Sequence, residues 1–286
     1  MNQQLTKIIT AIVTDQQDGK NYAQKEGVTY VVRTNEELSL GDIVTGFAYS
    51  NQSNKLSLTT DIPTITNKDY GWAEVVDIRR DLGVFVSIGL PDKDIAVSMD
   101  ELPLERHQWP KKGDQLLIKL SVDNKYRIWG NLAEQDYFRT ITNKGSNTQH
   151  NNNVTGHVVE IKAAGEYVIT SDNFLAYIPE VERDEELRLG EAIEGRVTGV
   201  REDGVLYISL HPRAHEVMDE DAKMIYASIL RSEDKSIPYH DKSDPQAIRD
   251  YFGISKGQFK RAVGRLMKEG LVDQDSEKTF AVKNNI

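Results

Sequence analysis

Cysteine is absent from all 286 residues. Disulfides and thiolate-bound metals are therefore excluded, and the absence fits a reducing compartment. Long apolar runs are missing too. No stretch approaches the ~20 residues that a membrane-spanning helix needs. The opening Met1-Asn2-Gln3-Gln4 has no basic segment, and residues 8–13 are too short and too polar for a signal core. The expectation is a cytoplasmic protein with no membrane partner. The chain also has no P-loop, no Gly-x-Gly-x-x-Gly, no nucleophile elbow and no nuclease-type Asp cluster. Carboxylates are plentiful, but no spacing singles out a pair, so neither an enzyme nor a cofactor is expected. His211 and His215 flank Pro212 beside Glu216, with no third ligand at a recognised spacing, and no metal site is expected.

Positive charge is scarce as well. Lys and Arg number 35 against 45 Asp and Glu, a net charge of −10. Residues 211–286 hold 13 of each sign, so the deficit lies in the first 210 residues, with 22 basic against 32 acidic. Affinity for phosphate comes largely from cations, so indiscriminate binding to DNA is disfavoured. Stacking of unpaired bases on aromatic platforms survives such a balance.

What the chain does contain is one phrase used three times: an apolar run, a Gly-acid pair, another β-type run, a turn and a closing strand. The pairs are Gly41-Asp42, Gly113-Asp114 and Gly190-Glu191, with the glycines 72 and 77 residues apart. That period is too long for a solenoid and fits whole small β domains in tandem. In the first, strands are expected over residues 7–13, 22–24, 27–32, 43–49 and 56–59, with turns at Asp18-Gly19 and Ser53-Asn54. Five short strands with glycine-marked corners describe a Greek-key barrel of the OB type. The segments are 1–62, 63–139 and 154–212, with an Asn-rich flexible connection over 140–153 that lacks large apolar residues after Ile141.

Residues 213–286 read differently. Residues 219–231 place Ala222, Ile225, Tyr226 and Ile229 at helical spacing. Asp244-Pro245 reads as an N-cap followed by proline in the first turn, and Ser255 caps a second helix ended by Gly270. A hairpin follows over 271–282. Helix, helix-turn-helix and hairpin make a winged helix. The fold class expected is mainly β with a C-terminal α+β domain.

The second and third barrels resemble the S1 RNA-binding domain, through Gly83-Val84-Phe85-Val86, residues 97–102, Gly113-Asp114 and Asp123…Arg127-Ile128 in one, and Gly165-Glu166-Tyr167-Val168, residues 176–181 and Ile208-Ser209-Leu210 in the other. Three such barrels and a winged helix carrying residues 241–248 and 255–266 are similar to the CvfB (conserved virulence factor B) family. The resemblance implies an RNA-binding regulator acting post-transcriptionally, with virulence-related targets. It places Phe85 and Tyr167 at the exposed strand aromatic, Tyr177 where S1 domains have a stacking His, and Asp123 and Arg127 at the closing-strand acid and Arg. It also implies departures: Ser98 for the stacking His in the second barrel, Val205 for the Arg in the third, and Lys55 without a matching Asp in the first. On the winged helix, Lys256, Lys260, Arg261, Arg265 and Lys268 supply the cations for nucleic-acid contact. The expected partner is single-stranded RNA, with duplex nucleic acid at the winged helix. Two alternatives stay open: a DNA-binding transcription regulator, and a scaffold docked on the ribosome or RNA polymerase. Trp72, Trp109 and Trp129 are expected to be packing residues or to lie at barrel ends.

Overall fold

The computed structural model describes residues 4–212 and 220–282. His215, Glu216 and Asp219 lie outside these residues. The chain divides into two compact units, 1–211 and 212–286.

The first unit holds three closed five-stranded barrels. The first comprises β1 (Ile8–Gln17), β2 (Lys20–Lys25), β3 (Val28–Arg33), β4 (Ile43–Ser50) and β5 (Leu56–Thr59). The second comprises β6 (Gly71–Arg79), β7 (Gly83–Ser87), β8 (Ile95–Ser98), β9 (Gln115–Val122) and β10 (Ile128–Leu132). A short helix, α1 (Gln135–Ile141), leads to the third: β11 (Asn153–Lys162), β12 (Gly165–Thr170), β13 (Leu175–Pro179), β14 (Ala192–Val200) and β15 (Leu206–Ser209). Around each barrel the strands run first, second, third, fifth, fourth, with the third and fifth parallel. That connection is the OB topology.

The repeated Gly-acid phrase proves to be a closure device. The first strand of each barrel breaks register between Val13 and Asp15, Val75 and Asp77, and Val158 and Glu160. A bulge of this kind bends and twists the strand so that the sheet can close. At the start of the break Val13, Val75 and Val158 exchange backbone hydrogen bonds with the Gly-acid pairs. The glycines sit at φ of +92°, +92° and +80°, a region that L side chains avoid. Each acid accepts from the amide three residues before it, at Ser39, Lys111 and Arg188. The motif is therefore accounted for by backbone geometry, not by a ligand.

The Asn-rich stretch does not run loose. Asn143, Gly145 and Asn151 amides donate to Asn173, Gly204 and Val197 carbonyls of the third barrel, and Ser146 opens a one-turn 3-10 helix (Asn147–Gln149) with a capping box. The bonds to the third barrel come from backbone groups, which composition does not reveal. Just before it, Phe138 of α1 is buried among Leu117, Val159, Ile169, Leu175 and Val205, between the second and third barrels.

The second unit comprises α2 (Glu220–Arg231), β16 (Ser236–Ile237), α3 (Pro245–Phe252), α4 (Lys256–Lys268), β17 (Val272–Gln274) and β18 (Thr279–Ala281), with sheet order β16-β18-β17. Asp244 accepts from the Ala247 amide, and Ser255 and Gln258 form a reciprocal capping box. Gly253 ends α3 at φ +73°. Ile225, Ile229, Ile248, Phe259, Val263 and Leu266 are buried in one core. The short β16 escaped the sequence reading because two residues carry no periodicity.

Candidate nucleic-acid interface

Strand register decides which side chains of a barrel share its open face, because directly paired residues project to the same side. In the third barrel Tyr167 pairs with Tyr177, and Tyr177 with Tyr207. The three rings form a row across β12, β13 and β15, with centroids 5.0 and 6.3 Å apart. All three are half-buried, with their neighbours Val168, Ile178 and Ile208 turned into the core. Burial raises the Tyr177 phenol above its ordinary pKa, so it stays a neutral donor at neutral pH. Arg201 engages the Tyr167 hydroxyl and pairs with Asp203 at 2.7 Å, which also binds Arg139. Cations and rings thus meet along one edge.

In the second barrel the equivalent row is Phe85, Ala96 and Trp129. The register corrects one expectation: Ala96, not Ser98, stands at the stacking position, since Ser98 pairs with Gly83 just as Pro179 pairs with Gly165. Phe85 is half-buried under the Arg79 guanidinium, 5.0 Å from the ring centroid. Trp129 is not solely a packing residue. It is half-buried on the open face, with Arg127 5.3 Å over its ring and its indole N–H donating to Asp123. Asp123 also binds the Arg127 side chain at 2.7 Å. Hydrogen bonds from the Arg127 backbone, then from the Arg127 and Trp129 side chains, hold its carboxyl far below the usual carboxylate range. Trp109 is buried, with its N–H on the Pro103 carbonyl, as a packing residue should be. Trp72 is 39% exposed against His157.

The first barrel offers least. Its row is Tyr22, Val31 and Ser57, and Ser57 is fully buried. Asp92 of the second barrel reaches across to Arg33 and to the Tyr49 hydroxyl. The missing acid is present as an amide: Asn51 accepts from the Ser53 and Lys55 amides as Asp123 does from Lys125 and Arg127. The absent Arg in the third barrel also has a physical reason. Val205 packs beneath Phe138, where a guanidinium would be desolvated.

On the winged helix, Phe259, Ala262, Val263 and Leu266 of α4 face the core. Arg261 and Lys268 lie on the opposite side with Gly257 and Gly264, all exposed. Lys260 pairs with Asp241 at 3.7 Å and Arg265 with Glu269 at 3.1 Å, while Lys256 is half-buried. The hairpin tip is mostly acidic, with Asp275 and Glu277 beside Lys278. The helix, not the wing, presents cations.

Among the described residues no cluster of metal-ligating side chains occurs, and no helix is long and apolar enough to cross a membrane. His211 instead binds the Val181 carbonyl.

Comparison with known proteins matches each piece. Residues 70–131 match the CvfB first S1-like domain, 138–212 the second domain of virulence regulatory factor CvfB, and 223–280 the CvfB-like winged helix domain. Residues 6–61 match the S1 domain. The chain is 39% identical to YitL of Bacillus subtilis over 98% of its own length and 93% of the relative. It is 33% identical to conserved virulence factor B of Staphylococcus epidermidis, over 88% and 84%. A solved structure from Streptococcus pneumoniae, described as a multidomain protein with nucleic acid binding domains, superposes with a TM-score of 0.74 at 43% identity, covering 99% of this chain and 100% of that one. S1-like barrels and a winged helix in this combination mark a nucleic-acid-binding regulatory protein, and the family they match is not a known enzyme family. On these matches, and on a fold that carries them from one end to the other, the chain belongs to the CvfB (conserved virulence factor B) family.

Proposed function

We propose that the protein binds single-stranded RNA and acts in post-transcriptional control. The observation that carries this reading is the row Tyr167, Tyr177 and Tyr207, half-exposed and in register across three strands. Only an unpaired base can lay its face on such a row, since bases in a duplex already stack on one another. Phe85 and Trp129, each under a guanidinium, extend the same chemistry to the second barrel. Arg127, with Asp123 fixing its guanidinium, supplies a phosphate contact beside Trp129. The net charge of −10 supports stacking over bulk electrostatics.

The test is competition for the full chain among single-stranded RNA, single-stranded DNA and duplex DNA of one length. RNA is expected to win. Tyr177→Ala and Tyr207→Ala should each weaken RNA binding by ~1–3 kcal/mol per stacked base. Equal affinity for the duplex, or unchanged binding in both variants, refutes the reading.

A second contact is supported at α4, where Arg261 and Lys268 carry no ion pair among the described residues. Lys260 and Arg265 flank that face, and Lys256 lies at the first turn. Replacing Lys260, Arg261 and Arg265 by Ala should weaken binding and flatten its salt dependence.

A further inference from the structure

The turn before the closing strand is built alike in all three barrels. The Asn51, Asp123 and Arg201 amides bond the Lys55, Arg127 and Val205 carbonyls, and a return bond comes from the amides of residues 54, 126 and 204. That last position is left-handed each time, at φ +58°, +60° and +87°. Asn and Gly, which tolerate this region, fill it in the first and third barrels. The second barrel has Tyr126 there, an aromatic residue in a conformation that its backbone disfavours. Its ring is not used to fill a core, for Tyr126 is 49% exposed.

Tyr126 stands at a cleft of about 710 Å³ between the first and second barrels. That volume lies within the ~300–1,000 Å³ of small-ligand sites. On the first-barrel side Leu5, Val28 and Leu56 make an aliphatic wall beside Ser50 and Asn54, and the other side carries Lys125, Tyr126 and Arg127 of the second barrel. Among the described residues no carboxylate lines it, in a chain with ten more acids than bases. The larger cleft between the second and third barrels is the opposite case. It is lined by Glu101, Glu105, Glu134, Asp136 and Glu160 against two lysines, and it repels phosphate.

We infer that the cleft between the first two barrels holds one nucleotide of a single strand, its base between the Tyr126 ring and the aliphatic wall and its phosphate on Lys125 and Arg127. This site rests on the reading of the protein as a single-strand binder and adds to the tyrosine row of the third barrel. It gives the first barrel a part in binding although Ser57 of its own face is sealed.

The strained turn makes the test two-sided. Tyr126→Gly and Tyr126→Asn relieve the backbone and should raise the melting temperature of the full chain by about 2–4 °C. The same variants should weaken binding of a fluorescein-labelled single-stranded oligouridylate roughly 5- to 150-fold. Tyr126→Phe should keep wild-type affinity. A 4-thiouridine oligonucleotide should crosslink to the peptide carrying Tyr126. A higher melting temperature with unchanged affinity, crosslinks confined to residues 167–207, or a lower melting temperature in Tyr126→Gly would each overturn the site while leaving the RNA reading in place. Failure of the wild-type chain to bind the oligonucleotide would remove both.

Discussion

Side chains of one type have different fates in this protein, and their surroundings decide which. Asp42, Asp114 and Glu191 cap the turns that close barrels, while Asp123 caps a turn and also grips Arg127 and Trp129. The carboxyl of Asp123 is held below its ordinary range, chiefly by the Arg127 amide. A group whose folded pKa is depressed stabilises the fold fully above its unfolded value of about 3.9, and that contribution is lost as pH falls toward the folded value. Asp123→Asn should therefore lower the melting temperature most at neutral pH, with the gap to wild type narrowing below about pH 4. A gap that is constant with pH would mean that the Asp123 carboxyl titrates alike in the folded and unfolded chain, and would refute the depressed value. Phe85, Tyr167 and Tyr177 were legible in the sequence because the Gly-x-aromatic-Val and strand motifs mark them. Trp129 and Tyr207 were not, since only pairing to the third strand reveals that each joins the row. The motif reading puts Ser98 where Ala96 belongs, whereas strand pairing makes Ser98 the counterpart of Pro179, each the N-cap of the one-turn 3-10 helix that follows.

Among elements, α4 is the one whose composition works against its conformation. Gly257 and Gly264 lie on its exposed face, and a Cβ at Gly264 would meet nothing within 4 Å. Glycine within a helix costs about 1 kcal/mol relative to alanine. Gly264→Ala should thus stabilise the winged helix by up to about 1 kcal/mol, read as a rise in the denaturant midpoint of the winged-helix transition. If that gain comes with weaker nucleic-acid binding, the bare backbone at this face has a use in close approach. Stability unchanged or lowered would refute the helix-propensity argument. The helix and its caps were legible, because Asp244, Ser255 and Gly253 are local signals and the apolar residues repeat at helical spacing. The order of the Asn-rich stretch is only partly legible: the Ser146-x-x-Gln149 capping box is a local signal, but the bonds that tie the stretch to the third barrel use backbone groups that composition cannot reveal.

At the scale of the three-barrel unit, the barrels are joined through the same motifs that close them. Arg188 reaches Asp114 of the second barrel and Glu191 of the third, and the Gln115 amide donates to the Gly190 carbonyl. The Arg188 and Asp114 side chains are only 20% and 11% exposed. Removing the guanidinium strands two carboxylates, so Arg188→Ala should cost toward about 3 kcal/mol, the lower end for a broken buried pair. Thermal unfolding of the full chain checks this, and a change within about 0.5 kcal/mol, the usual range for a surface substitution, would refute it. The amino-acid sequence by itself determined three barrels and a winged helix, since turn glycines, alternating strands and helix caps are local and act whatever lies nearby. Which faces remain open was decided only by tertiary packing. Ser57 is sealed, α1 covers Val205, and strand pairing sets Tyr207 beside Tyr177. Exposure of a ring depends on what the rest of the chain places over it, and residues distant in sequence carry no mark of that.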